Sequence, residues 1–287
     1  MNLLEVKGLS KGFKQFSLKD ISFNLPKGYI MGYVGQNGAG KTTTIKLINH
    51  LCKADSGEVY VNGIRYVDNP IHYKEQIGFI GDESFFPKEM KLKDIRTIMK
   101  DFYVSFDEQK FNQMVRDWNL PENKKIQDFS RGMKVKLMFL TALCRDVKLL
   151  ILDEATNGLD PVMRAEILEL LQDFIEDGEK SILFSTHMLD DLESIADYIV
   201  FIKDGRIVLN ETKDELLESY MIVKGDAKEL TNEMRKVLIG LKEKRFAFEA
   251  LVSSENAAVL KKGFVFEKPA IDQIMIHMIG SRQGGIA

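Results

Sequence analysis

Residues 33–43 read Tyr33-Val34-Gly35-Gln36-Asn37-Gly38-Ala39-Gly40-Lys41-Thr42-Thr43. An apolar strand runs into a glycine-rich turn, and the turn opens a helix at Lys41. This is the G-x-x-x-x-G-K-S/T pattern of a phosphate-binding loop in the strand-to-helix context that the pattern requires. The glycines let the backbone curl so that successive N–H groups point inward at a polyphosphate. The helix adds the positive end of its dipole. Lys41 reaches the terminal phosphates as a compact cation, and the Thr42 hydroxyl is placed for Mg²⁺. ATP or GTP is the expected ligand.

Around the loop the chain reads as α/β. Tyr29 to Val34 is the buried strand that delivers it, entered through the turn Pro26-Lys27-Gly28, and a helix continues over Thr43 to Leu51. Leu149-Leu150-Ile151-Leu152 ends in Asp153-Glu154, and Ser181 to Thr186 ends at His187. Unbroken apolar runs of this kind are strands buried on both faces, and in open α/β sheets ligands sit beyond their carboxyl ends. Helices over Pro161 to Glu176 and Met188 to Ala196 separate these strands, so the sheet is mostly parallel. Asn2 to Val6 and Phe16 to Leu25 alternate apolar with polar residues, and Gly57 to Gly63 reads as a short strand closed by an Asn-Gly turn. Ile199 to Lys203 and Arg206 to Leu209, around Asp204-Gly205, predict a hairpin.

Between about 84 and 144 the period becomes helical. Ile95, Ile98, Met99 and Phe102 share one face, as do Phe111, Met114, Val115 and Trp118, which predicts a packed helical insert. It ends in the loop Ile126 to Met133 before a helix over Lys134 to Leu143. Beyond Tyr220 a strand (Tyr220 to Lys224), a charged helix (Lys228 to Leu241), a strand (Phe246 to Val252), a short helix and an amphipathic helix (Ile271 to Ile279) predict a small α+β appendage.

The 287 residues are 45% apolar and carry a net charge of −3. That balance gives no general electrostatic reason to expect nucleic-acid binding. Cys52 and Cys144 stand apart, outside any zinc or disulfide spacing, which fits a reducing compartment. Met1 to Gly8 is mixed and charged, unlike a signal peptide. The apolar runs fall far short of the roughly 20 residues that span a bilayer, so any crossing of a membrane belongs to another protein.

Asp153 and Glu154 are adjacent on a strand and point to opposite sides. One is free to meet the Mg²⁺ shell while the other meets the attacking water, the division that phosphoryl transfer needs. The ordered series Gly35 to Thr43, Ser130-Arg131-Gly132-Met133, Leu149 to Glu154, Asn157-Gly158-Leu159-Asp160 and Ser185-Thr186-His187 resembles the ATP-binding cassette family of transporter ATPases over residues 2–221. The Ser-Arg-Gly-Met version and the appended C-terminal region resemble the bacterial branch that energises export of antibiotics, peptides and lipids.

That resemblance implies a P-loop NTPase core with a mostly parallel sheet, an antiparallel β subdomain and a helical subdomain at about 84–144. The cassette would span residues 1–221 and an accessory region 222–287. It implies ATP with Mg²⁺. Gly35, Asn37, Gly38, Ala39, Gly40, Lys41, Thr42 and Thr43 would hold the phosphates, and Thr42 and Asp153 the metal. Glu154 would be the general base and His187 would contact the γ-phosphate, with Lys41 completing the catalytic set. Phe13 falls where the family stacks an aromatic on adenine; a core position is the other reading. Ser130, Arg131, Gly132 and Asp160 would complete the nucleotide site of a second copy, so that two cassettes sandwich two ATP molecules head to tail.

Two positions depart from the family pattern. Asp82 stands where a glutamine is usual, and would reach Mg²⁺ through water. Arg131 stands where many members have glycine, either adding charge at the γ-phosphate or pointing to solvent. Residues 82–99, with Phe85, Phe86 and Met90, would receive a helix of a separate polytopic permease at the cytoplasmic face of a bacterial membrane. A soluble cassette ATPase acting on ribosomes or nucleic acid, and an ATP-gated clamp without efficient turnover, are the competing readings. Ribosome-acting relatives carry two cassettes and DNA-acting ones long coiled coils, and this chain has neither.

Overall fold

The computed structural model describes residues 1–260 and 263–280; residues 261–262 and 281–287 of the expected C-terminal region lie outside it. Contacts divide the chain into a unit over Met1–Asn210 and a second that starts at Glu211. The contact boundary at Glu211 lies just before the helix at 213–219.

In the first unit, strands β1 (Asn2–Gly12) and β2 (Ser17–Pro26) pair antiparallel. On β2, Ile21, Phe23 and Leu25 are buried while Ser22 and Asn24 face out, the period of a strand with one face on a core. Strand β3 (Ile30–Val34) is buried at every position and leads through the phosphate loop to helix α1 (Lys41–Ile48). Strands β4 (Ser56–Val61) and β5 (Ile64–Arg65) close on Asn62-Gly63, whose φ values of 51° and 77° are those of the hairpin turn expected there. Helix α2 (Pro70–Glu75) starts on an Asn69 cap and leads to β6 (Ile77–Ile80).

Helices α3 (Leu92–Phe102), α4 (Glu108–Asp117) and α5 (Arg131–Leu143) form the helical insert. Its core joins Ile95, Met99, Phe111, Val115, Ile126, Phe129, Leu137 and Leu140. The expected apolar face of α3 is only half interior, because Ile98 and Phe102 are exposed. They line an open apolar cleft of about 510 Å³ together with Phe79, Phe85, Phe86 and Met90.

The chain then returns to the sheet through β7 (Leu149–Asp153), α6 (Pro161–Ile175), β8 (Ser181–Ser185), α7 (Leu189–Ile195), β9 (Tyr198–Lys203) and β10 (Arg206–Thr212). Two sheets result, ordered β2-β1-β4-β5 and β10-β9-β3-β8-β7-β6. From β9 to β6 every neighbouring pair of the second sheet is parallel. The loops after β3, β8, β7 and β6 therefore leave from one edge, the carboxyl edge, where a ligand of such a sheet sits.

The second unit begins with β10's last residues and helix α8 (Lys213–Ser219), closed at its start by a reciprocal Thr212–Glu215 capping box. Strands β11 (Tyr220–Gly225), β12 (Leu238–Glu243), β13 (Phe248–Ser253) and β14 (Val265–Glu267) form an antiparallel sheet ordered β12-β13-β11-β14, with helices α9 (Asn232–Val237) and α10 (Ile271–Gly280). This is a split β-α-β arrangement. The helix expected over Lys228 to Leu241 is cut short at Val237. Residues 238–243 pair with β13 instead, since a sheet partner outweighs modest helical preference.

Candidate functional site

The phosphate loop is shaped by its glycines and closed by its own lysine. Gly40 has φ of 116°, and a Cβ there would lie 2.7 Å from Leu18 Cδ1, so both backbone and space exclude a side chain. Beside Gly38, by contrast, nothing lies within 4 Å of a Cβ position, which leaves the mouth of the loop open. The buried Lys41 ammonium donates to the Gly35 carbonyl at 2.7 Å and lies 3.5 Å from Glu154 Oε1. Thr44 anchors the start of α1: its hydroxyl donates to the Gly40 carbonyl and meets the Tyr33 hydroxyl, each at 3.0 Å.

Asp153 and Glu154 part company at the end of β7. Asp153 is buried, and burial pushes its carboxyl above the usual range, partly offset by the Thr42 and Ser185 hydroxyls nearby. Asp153 Oδ1 and Ser185 Oγ are both buried with no hydrogen-bond partner. Two orphaned oxygens beside the Thr42 hydroxyl are hard donors of the kind that Mg²⁺ takes, and such sites use one or two carboxylates with the substrate's phosphates supplying the rest. The donor set fits the metal.

Glu154 adopts φ of 57°, left-handed for a residue that carries a side chain. Its carboxylate meets Asn157, His187 and Lys41. Oε2 accepts from the Asn157 amide at 2.7 Å and meets His187 Nδ1 at 2.5 Å. Burial alone would raise its pKa, but the Asn157 hydrogen bond, then His187 and Lys41, outweigh burial and hold it below the usual carboxylate range. Glu154 is thus an ionised, oriented acceptor beside the phosphate loop.

Ser130 and Asp160 cap helices of their own chain. Ser130 Oγ accepts from Met133 N at 3.2 Å at the start of α5, and Asp160 Oδ1 accepts from Val162 N and Met163 N at the start of α6. Among the described residues neither is hydrogen-bonded or ion-paired to Lys41, Glu154 or His187. Arg131, with its side chain half exposed, donates through its guanidinium to Asp82 Oδ1 at 2.6 Å, so the two off-pattern residues hold each other. Phe13 is 52% exposed beside Phe16, which removes the core reading and leaves its ring facing outward.

Two features escaped the sequence. Asn157 was visible only as part of a motif, with nothing to say that its amide would fix Glu154. Asp191, 1% exposed, forms a buried ion pair with Arg164 and accepts from the Thr156 hydroxyl at 3.1 Å, tying α6, α7 and the loop after β7 together. No local pattern marks such a pair.

Residues 18–157 match the family model described as ABC transporter. The ABC transporter ATP-binding protein YtrB of Bacillus subtilis is 32% identical over 76% of this chain and 75% of its own length. The lantibiotic transport ATP-binding protein SrtF of Streptococcus pyogenes is 31% identical over 74% of this chain and 92% of its own. A solved structure described as the ATP-binding subunit of an ABC transporter superposes with a TM-score of 0.70 at 32% identity, covering 75% of this chain and 91% of that one.

Proposed function

This chain belongs to the ABC transporter family as an ATP-binding subunit with ATPase activity, and from that premise we propose that it drives export of peptides, antibiotics or lipophilic compounds. The carrying observation for hydrolysis is the cluster of Glu154, Asn157, His187 and Lys41 at the mouth of the phosphate loop. An ionised carboxylate held by two donors is suited to take the proton of an attacking water. Lys41 would bind the terminal phosphates, and His187, 55% exposed, faces the space where they would lie. Mg²⁺ would be held by Thr42 and Asp153, and when bound it neutralises charge developing on the phosphates.

The working form is two copies of the chain. Each contributes its glycine loop and carboxylates to one ATP, and the Ser130 end of α5 with Asp160 to the other. Hydrolysis then removes the phosphate that both copies grip, and the sandwich opens. Among the described residues no helix is long and apolar enough to cross a membrane. The subunit works against a separate permease at the cytoplasmic face, received by the apolar cleft that Phe85, Phe86 and Met90 line. Similarity to a lantibiotic transport subunit supports the cargo class.

The test is Glu154→Gln with ATP and Mg²⁺. Phosphate release should fall by about two orders of magnitude or more, while ATP is retained and the protein elutes as a dimer. Turnover at the wild-type rate would remove Glu154 from its role, and a permanent monomer would remove the sandwich. Purification from membranes should bring down a polytopic protein, whose cargo then decides the direction of transport.

A further inference from the structure

Arg131 does more than neutralise Asp82. Its guanidinium donates to Asp82 Oδ1 at 2.6 Å, in the loop that follows β6. A Cβ on Gly158 would lie 3.2 Å from its Cζ and 3.3 Å from its Nε, so the same group lies over bare backbone in the loop that follows β7, at a residue with φ of +64°. Beside it, a Cβ on Gly132 would lie 2.6 Å from Met163 Sδ, so the first turn of α5 also touches the first turn of α6. Two segments distant in sequence, the loop at residue 82 and the stretch 158–163, converge on Arg131 and Gly132, beside Ser130.

We infer that Arg131 is a positioning residue: through Asp82 and Gly158 it fixes the serine-bearing end of α5 against the carboxyl edge of its own chain's sheet. Both charges are about half exposed, and such a pair adds little to stability. Its geometry is what matters. The Oδ1 contact sets the distance of α5 from β6, and the missing side chain at residue 158 sets its distance from the Glu154 loop. The acid and the cation are one device, and either alone is a defect. The inference rests on the proposed reading only in the clause that Ser130 serves a partner's ATP; the strut itself belongs to the free chain.

The test is a double-mutant cycle on the full chain: wild type, Asp82→Asn, Arg131→Gln, both together, and the charge-reversed pair Asp82→Arg with Arg131→Asp. Steady-state kcat and KM for ATP are measured, and amide hydrogen exchange is followed by mass spectrometry without nucleotide. Each single change should lower kcat about two- to fivefold, the scale of an exposed ion pair, with KM unchanged and no further loss in the double. Exchange over residues 129–136 and 157–163 should rise equally in both single variants, and the charge-reversed pair should recover part of both effects. Multiplying losses, with KM raised by the Arg131 change alone, would put Arg131 on nucleotide and overturn the strut. Unchanged exchange over 157–163 in both single variants would overturn it as well. Should the wild type not hydrolyse ATP, the proposed function falls, and the exchange data still decide the strut.

Discussion

His187 Nδ1 and the Asn157 amide meet at a single atom, Oε2 of Glu154, at 2.5 and 2.7 Å. With Glu154 ionised both are donors, so one oxygen is occupied twice while Oε1 faces Lys41 at 3.5 Å. The carboxylate is thus bonded twice on one oxygen and faced by the buried Lys41 ammonium on the other, which fixes its orientation beside the phosphate loop.

Asn157→Ala removes one of those donors without touching the charges. A hydrogen bond to a charged group contributes about 1.5–3 kcal/mol, so kcat should fall about tenfold or more. Glu154's pKa, held down by this bond, should rise, and the acid limb of the kcat–pH profile should shift to higher pH. An unmoved limb would show that Asn157 does not tune the base.

Asp153→Asn should trade turnover for stability. Burial raises the Asp153 carboxyl above its ordinary 3.8, so the folded state resists the charged form. The folded-state pKa lies above the unfolded one; that stabilisation is therefore full below the unfolded value and lost as pH rises through the folded one. Thermal melts at neutral pH should show the variant more stable than wild type, with the gap closing as pH falls toward 4. A constant gap across that range would contradict the assignment.

Gly40→Ala forces a side chain into a backbone region and a space that both refuse it. Strain of this kind costs about 1–3 kcal/mol, and the loop should also lose its curl. Binding of a fluorescent ATP analogue should weaken at least about tenfold, with a lower melting temperature.

Arg164→Ala leaves Asp191 buried with, among the described residues, the Thr156 hydroxyl as its remaining side-chain partner. Breaking one side of a buried pair costs about 3–5 kcal/mol, and because Arg164 is 20% exposed the lower end, about 3 kcal/mol, is expected. Urea denaturation measures it.

Phe86→Asp places a charge in the apolar cleft of the helical insert. The isolated chain should hydrolyse ATP as before, while co-purification with the permease and transport are lost. Transport at the wild-type level would move the docking surface elsewhere.

Motifs read from neighbouring residues were legible: the glycine loop, the apolar run into Asp153-Glu154, and the Asn62-Gly63 turn each carry their geometry in a few positions. The Arg131–Asp82 contact joins residues 49 apart, and sequence showed only that each was out of pattern. Ile98 and Phe102 have the period of a packed face, but periodicity reports which residues share a side of a helix, not whether anything covers that side. Residues 238–243 became a strand because β13 lies next to them, a fact held in tertiary pairing alone.

Glu154 keeps a left-handed backbone that a glycine would occupy without strain. Exchanging it for glycine relieves that bend but strips the buried Lys41 ammonium of its carboxylate and leaves Asn157 and His187 without their acceptor, so the inert protein gains no heat resistance that a screen for hardier variants would reward.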